Sequence, residues 1–294
     1  MTHLPVGKLC YEFDRKEAPR VRIAAGTRLI VDSEDAFSGQ IRTEDDRRDK
    51  SKVPYSNPMN GPIYVEGAEP GDSLAVTIHG IEPTIGKCFT RTGDPRQLSE
   101  WLGTDCPHGT HVCEISGGVI HWSDTIKIPY SPMLGCIGTT PDWGVPSTGP
   151  AGLHGGNMDL VEVCPGSTLH LPVYVPGGLL YLGDAHAAMG HGELSANGLE
   201  MPARSEITVD LVKRTIPSPR IVTPTELVTV GTGYPTERAI AYAYAQLILW
   251  LEADYGVPRW KGFDLLTHVG RISVGYYAIG TVAAKIEHRY LVNS

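Results

Sequence analysis

Leu169-His170-Leu171-Pro172-Val173-Tyr174-Val175-Pro176-Gly177-Gly178-Leu179-Leu180-Tyr181-Leu182-Gly183 contains two short apolar runs separated by Pro-Gly-Gly. Branched, aromatic and aliphatic side chains suit a pleated, half-buried surface. Pro and Gly break the chain between them. The stretch therefore reads as two strands and a turn. Similar runs recur at 23–31, 63–65, 74–81, 119–122, 160–163, 207–212 and 226–230. With 34 glycines and 23 prolines spread between such runs, turns are favoured over long helices. Many short strands divided by turn signals predict a mainly β chain, a β-sandwich or jelly-roll-like fold. Ala68-Glu69-Pro70-Gly71-Asp72 is a turn by its chemistry, with Pro presetting φ and Gly accepting positive φ.

One segment departs from this pattern. Residues 236–255 contain neither Gly nor Pro, and Ile240, Tyr244, Leu247, Ile248 and Leu251 fall on one face of a helix. Gly256 and Pro258 supply its stop, and a shorter helix is expected from Lys261 to about Val269. The expected organisation is a single domain over 1–294. It has a β-rich core at 1–235 and 271–290 and a late helical insertion at about 236–269.

Composition removes several function classes. The chain has 294 residues, 41% hydrophobic and 20% charged, with a formal net charge of -8. That is an ordinary globular composition. An acidic surface without a basic stripe argues against a nucleic-acid partner. The densest charge run, residues 44–50, mixes both signs and reads as a solvated loop. No apolar run reaches the ~20 residues of a membrane span, and residues 1–20 do not resemble a secretory signal. The six cysteines show no framework spacing. These features predict a cytoplasmic protein without a membrane partner.

The richest chemistry lies in Gly183-Asp184-Ala185-His186-Ala187-Ala188-Met189-Gly190-His191-Gly192-Glu193. Asp184 and His186 are two apart, so on extended backbone they share a face. His191 and Glu193 repeat the spacing. A carboxylate and an imidazole converging this way suit either a metal ion or a general acid/base pair. Equally, the acids bond loop amides and the histidines sit at the surface. In His154-Gly155-Gly156-Asn157-Met158-Asp159, before a predicted strand at 160–163, the glycine amides are candidate oxyanion donors, although Gly-Gly-Asn is also ordinary turn vocabulary. Cys106, His108, His111 and Cys113 match no standard zinc spacing. Asp35 defaults to a capping or turn role. Neither a nucleophile elbow nor a phosphate-binding loop is present.

In order along the chain, residues 35–41, 57–72, 132–138, 154–159 and 183–193 resemble the blocks of the acetamidase/formamidase family. The resemblance implies a β-rich sandwich, hydrolysis of short aliphatic amides such as formamide or acetamide, a homo-oligomer, and a divalent metal near the two acidic loops, zinc or calcium. On it rests the expected chemistry. Asp159, Asp184 and His186 hold the metal, and Glu193 is the general base on a metal-activated water, or pairs with His186 if no metal is bound. His154, Gly155, Gly156, Asn157, His191 and Asp35 are the candidate substrate-binding residues. Two departures stand out: Met189 and His191 replace the family's usual Gln and Asp, and segment 271–277 lacks the usual Asp before it and the Gln at Gly275. Two rival expectations stay open, a metal-dependent hydrolase or lyase of another small carbonyl compound such as a cyclic amide, and a non-catalytic small-molecule or metal-binding sandwich.

Overall fold

The computed structural model describes residues 2–92, 98–104 and 106–291. The fold is mainly β, with two large sheets among the described residues, one of nine strands and one of eleven. Strands Ser73–Pro83 and Ala203–Val212 form the long central pair of the first sheet. Strands Met133–Thr139 and Leu180–His186 lie at the centre of the second. One apolar cluster joins the two. It takes Val76, Ile78 and Ile207 from the first sheet and Leu134, Ile137 and Leu182 from the second, all of them buried. Sheets that share a core in this way make a sandwich. The 68–72 turn forms as its chemistry requires, with Asp72 accepting from the Glu69 amide at 2.8 Å and from Lys213 Nζ at 2.7 Å.

The helices come late, at Thr236–Tyr255 and Arg259–Val269. Gly256 ends the first in the left-handed conformation, φ 65°, its N–H bonded to the Leu251 carbonyl, as a C-terminal glycine does. The buried face is rotated from the one that periodicity picks out. Ala239, Ala243, Gln246, Leu247, Trp250 and Leu251 are buried, whereas Ile240, Tyr244 and Ile248 are only partly covered. Small alanines let the helix lie close on strand Glu226–Gly231, and Thr229 Oγ1 donates to the Ala243 carbonyl at 2.7 Å. A second apolar cluster between these helices and strands Glu226–Gly231 and Val282–Glu287 results. Among the described residues no helix is long and apolar enough to cross a membrane.

One expected strand is absent. Residues 160–163 form a turn, closed by the Val163 amide on the Leu160 carbonyl at 2.9 Å. Their apolar side chains satisfy burial rather than a ladder: Leu160 and Val163 are fully buried. The strand is displaced upstream to Gly155–Asn157, which pairs with Met133–Thr139 on one side and Ala151–Gly152 on the other. That displacement sets Asp159 just beyond a strand end, beside Leu180–His186.

Candidate metal centre and active site

Strand Leu180–His186 carries Asp184 and His186 into the interior. It runs antiparallel to Met133–Thr139 along one edge, and to Met59–Val65 and then Glu200–Met201 along the other. The ladder sets His186 directly opposite Glu200. His186 Nε2 lies 3.2 Å from Glu200 Oε2 and 3.6 Å from Asp184 Oδ1. Asp159 reaches the same place from its own loop, its amide and that of Met158 both bonded to the Gly135 carbonyl. Glu193 enters from a fourth segment. The Gly192 amide donates to Val274 O at 2.8 Å and the Tyr277 amide to Gly192 O at 3.0 Å, which fixes the loop and turns Glu193 inward.

Five side chains thus meet. Asp159, His186 and Glu193 offer ligand atoms within 4.8 Å of one another, and so do Asp184, His186 and Glu200. None is more than 5% exposed. Among the described residues, both oxygens of Asp159, one each of Asp184, Glu193 and Glu200, and both ring nitrogens of His186 find no hydrogen-bond partner. Buried polar atoms are nearly always satisfied, and buried charges are paired or coordinate metals. A set of carboxylates plus one imidazole fits a hard or borderline divalent cation.

The backbone is strained here as well. Asp159, Asp184 and Glu193 have φ of 48°, 57° and 43°, a region that costs a non-glycine residue about 1–2 kcal/mol. Asp184 therefore does not share a face with His186 through regular extended backbone. Its carboxylate arrives by a left-handed kink in the strand. Strain of this kind collects at functional sites. Gly135 makes room between the two loops, since a Cβ built on it falls 2.5 Å from Asp159 Oδ1 and 2.7 Å from Asp184 Oδ2. We expect Gly135→Ala to force the carboxylates apart and to cost about 1–3 kcal/mol, the usual range for overpacking. A lowered thermal midpoint together with weakened cation binding would be measured, and an unchanged protein would contradict this packing.

Charge follows from burial. Burial and then the neighbouring Asp184 push Asp159 up to about 8. Glu193 is raised well above the usual carboxylate range by burial and by Asp159. Burial and Asp184 lift Glu200 to about 7, against the lowering effect of His186. Burial opposes a charged His186, but the contacts with Glu200 and Asp184 outweigh it and raise its pKa. In protein stripped of divalent cations these shifts make the fold lose stability as pH rises. Between 3.8 and about 8 the folded Asp159 keeps a proton that the unfolded chain has released, and Glu200 does the same between 4.5 and about 7. Each step upward in pH then favours unfolding. The thermal midpoint of chelator-treated protein should fall from about pH 5 to pH 8, with added cation stabilising most at the alkaline end, where protons no longer compete. A midpoint rising over that window would contradict the assignment.

A cavity of about 270 Å³ opens onto the cluster, lined by Asp184, Glu193 and Glu200 together with Asn57, Asn157 and Tyr276. Asn57 Nδ2 donates to Asn157 Oδ1 at 2.9 Å. Of the sequence-predicted residues, Asp159, Asp184, His186 and Glu193 are brought together and Asn157 lines the cavity. The others do not join the cluster itself. Gly155 and Gly156 sit in a ladder with strands on both sides. His154 is buried edge-on against Phe13, ring centroids 4.7 Å apart, and burial lowers it to about 4. Asp35 is a buried turn residue that accepts from the Phe37 and Gly39 amides and from Arg42. His191 is exposed and, with Met189, lines a larger outer cavity of about 710 Å³. Glu193 lines that outer cavity too, so the departures at 189 and 191 change a wall that adjoins the buried cluster. At Gly275 the Met158 carbonyl lies 2.2 Å from a built Cβ, so this backbone admits no Gln there.

Glu200 is the functional candidate that sequence reading missed. It belongs to none of the recognisable blocks, and only its strand pairing with His186 reveals it.

The acetamidase/formamidase family profile matches residues 16–149 and 144–242. The chain belongs to the acetamidase/formamidase family. The formamidase of Methylophilus methylotrophus is 26% identical over 247 residues, 65% of this chain and 61% of that protein. The chain spans about three fifths of the length of the curated relatives it matches. Among solved structures, the acetamidase of Yersinia enterocolitica superposes with a TM-score of 0.91 at 32% identity, covering 99% of this chain and 93% of that one. The acetamidase of Bacillus halodurans gives a TM-score of 0.91 at 28% identity and covers 98% of both chains. In this acetamidase/formamidase family member, Asp159, Asp184, His186, Glu193 and Glu200 meet in one buried acidic centre.

Proposed function

We propose that this family member hydrolyses the carbon–nitrogen bond of a small linear amide to a carboxylate and ammonia, at the centre formed by Asp159, Asp184, His186, Glu193 and Glu200. The observation that carries this reading is the burial of four carboxylates and one imidazole with ligand atoms unpartnered among the described residues, three of the carboxylates lining a small cavity. Amide hydrolysis needs a nucleophilic water at neutral pH and a proton for the departing nitrogen. Asp159, Asp184, His186 and Glu200 would hold a divalent cation, which when bound polarises a carbonyl and lowers the pKa of its water toward about 7.

The remaining work falls to the chain itself. Glu193 lines the cavity and has one carboxylate oxygen without a partner. It accepts a proton from the attacking water and delivers it to the nitrogen as the C–N bond breaks. The raised proton affinity of Glu193 strengthens it as the base in the first half of that transfer. Asn57 and Asn157, bonded to each other on the cavity wall, present amide groups that orient the substrate's own amide.

The test is ammonia release from formamide, acetamide and propionamide, before and after treatment with a chelator, with divalent ions then restored one at a time. Turnover that is lost on chelation and regained with a cation supports the reading. A stoichiometrically bound cation without turnover of any amide would favour a binding module instead.

A further inference from the structure

The small cavity has a second kind of wall. Arg48, Lys50 and Arg91 line it along with the carboxylates. Arg48 belongs to the mixed charge run that reads as solvated loop, yet it is half-buried. Its Nη1 donates to Ser56 Oγ at 2.6 Å and its Nη2 to the Tyr55 carbonyl, while Nε is buried with no partner. Arg91 donates from Nε to Asn197 Oδ1 at 3.3 Å.

Among the described residues neither guanidinium pairs with a carboxylate. Arg28, Arg42, Arg204, Arg214, Arg259 and Arg271 all do. Burial, and then the like charge of Arg91, lower the pKa of Arg48. Two neighbouring, partly desolvated cations without a counter-ion are unfavourable unless an anion joins them. A planar guanidinium fork matches a carboxylate in particular. The acidic cluster is not that anion, because none of its members pairs with either arginine. The cavity wall therefore carries a cation-binding set, Asp184, Glu193 and Glu200, and an anion-binding set, Arg48, Lys50 and Arg91. At about 270 Å³ it lies just under the roughly 300–1,000 Å³ of drug-sized ligand pockets, enough for a molecule of a few carbons with a charged group at one end.

Resting on the amide-hydrolase reading above, we infer that the substrate is a half-amide of a short dicarboxylic acid. Arg48, Arg91 and Lys50 hold its free carboxylate while its amide lies against Glu193. Formamide and acetamide have nothing to offer these cations.

The test uses the cation-loaded full chain and two matched pairs, malonamate with propionamide and succinamate with butyramide. We expect kcat/KM to favour the charged member of each pair by about 10- to 100-fold, the scale of a hydrogen bond to a charged group. Arg91→Met and Arg48→Met should each collapse that preference, and Arg91→Lys, which keeps charge but loses the fork, should retain part of it. A preference absent in the parent protein overturns the inference while leaving amide hydrolysis standing. Equal losses on charged and neutral amides in the variants also overturn it, since the guanidiniums would then act on something all amides share. Calorimetric binding of succinate, compared with butyrate, gives a readout independent of turnover. Succinate binding weakened at least about tenfold by Arg91→Met, in protein that turns over no amide, would keep the anion site and sink the hydrolase reading. Succinate binding no tighter than butyrate would sink the site.

Discussion

Replacing Glu193 with Gln is expected to lower amide turnover by about 10²- to 10⁴-fold, the contribution typical of a positioned general base. Gln keeps the shape of the side chain and removes its ability to take a proton from water. The residue is 5% exposed, and its loop is pinned by the Gly192 and Tyr277 backbone bonds to a neighbouring strand and turn, so the substitution should not move it. Because burial and Asp159 already disfavour the charged form of Glu193, a neutral isostere should leave the thermal midpoint of cation-free protein no lower than that of the parent. The measurement is kcat for ammonia release alongside thermal unfolding of the same preparation. A Glu193→Gln protein retaining more than a tenth of parental turnover would remove the assigned base.

His186→Gln should have the largest effect on cation binding. His186 is the one residue common to both three-residue ligand groups, and it touches Asp184 and Glu200 at 3.6 and 3.2 Å. Partners one layer out from a metal typically tune affinity by about 10–100-fold, and a ligand shared by both groups should exceed that. We expect cation affinity to fall at least about 100-fold by calorimetry, with turnover falling in parallel at fixed cation concentration. The substitution also takes from Asp159, Glu193 and Glu200 the positive charge that lowers their proton affinity. Unaltered cation affinity would mean that His186 is a packing residue. Gly198, where a built Cβ falls 2.5 Å from His186 Nδ1, holds the ring so closely that a rotated replacement is unfavourable.

Most of the candidate centre was legible before any coordinates. Asp159, Asp184, His186 and Glu193 stand in two loops rich in small residues, and density of ionisable groups among glycines and alanines is a local property that a linear reading detects. Glu200 was not legible, because its role comes from lying across a ladder from His186. The basic wall was hidden for the same reason. Arg48 sits in a run of alternating charges whose local chemistry is that of a solvated loop, and only its approach to Arg91 in a shared cavity separates it from its neighbours. His191 and Glu193 line the outer cavity together, but Gly192, with φ 96°, breaks the extended geometry that a two-residue repeat assumes, and only Glu193 is buried. Gly155 and Gly156 stand in a strand rather than a loop, because glycine vocabulary is common to loops and to tightly packed strands.

Composition and periodicity by themselves determined the β class, the turn at 68–72, the late helices with their glycine stop, and the identity of the acidic loops. Each depends on residues within a few positions of one another, where φ preference and side-chain alternation act directly. The tertiary structure alone decided which helix face is buried, that 160–163 turns instead of extending, and that four carboxylates and an imidazole meet beside a small cavity that Arg48 and Arg91 also line. Those outcomes depend on strand register and on segments far apart in the chain, and no local preference encodes the distance between them.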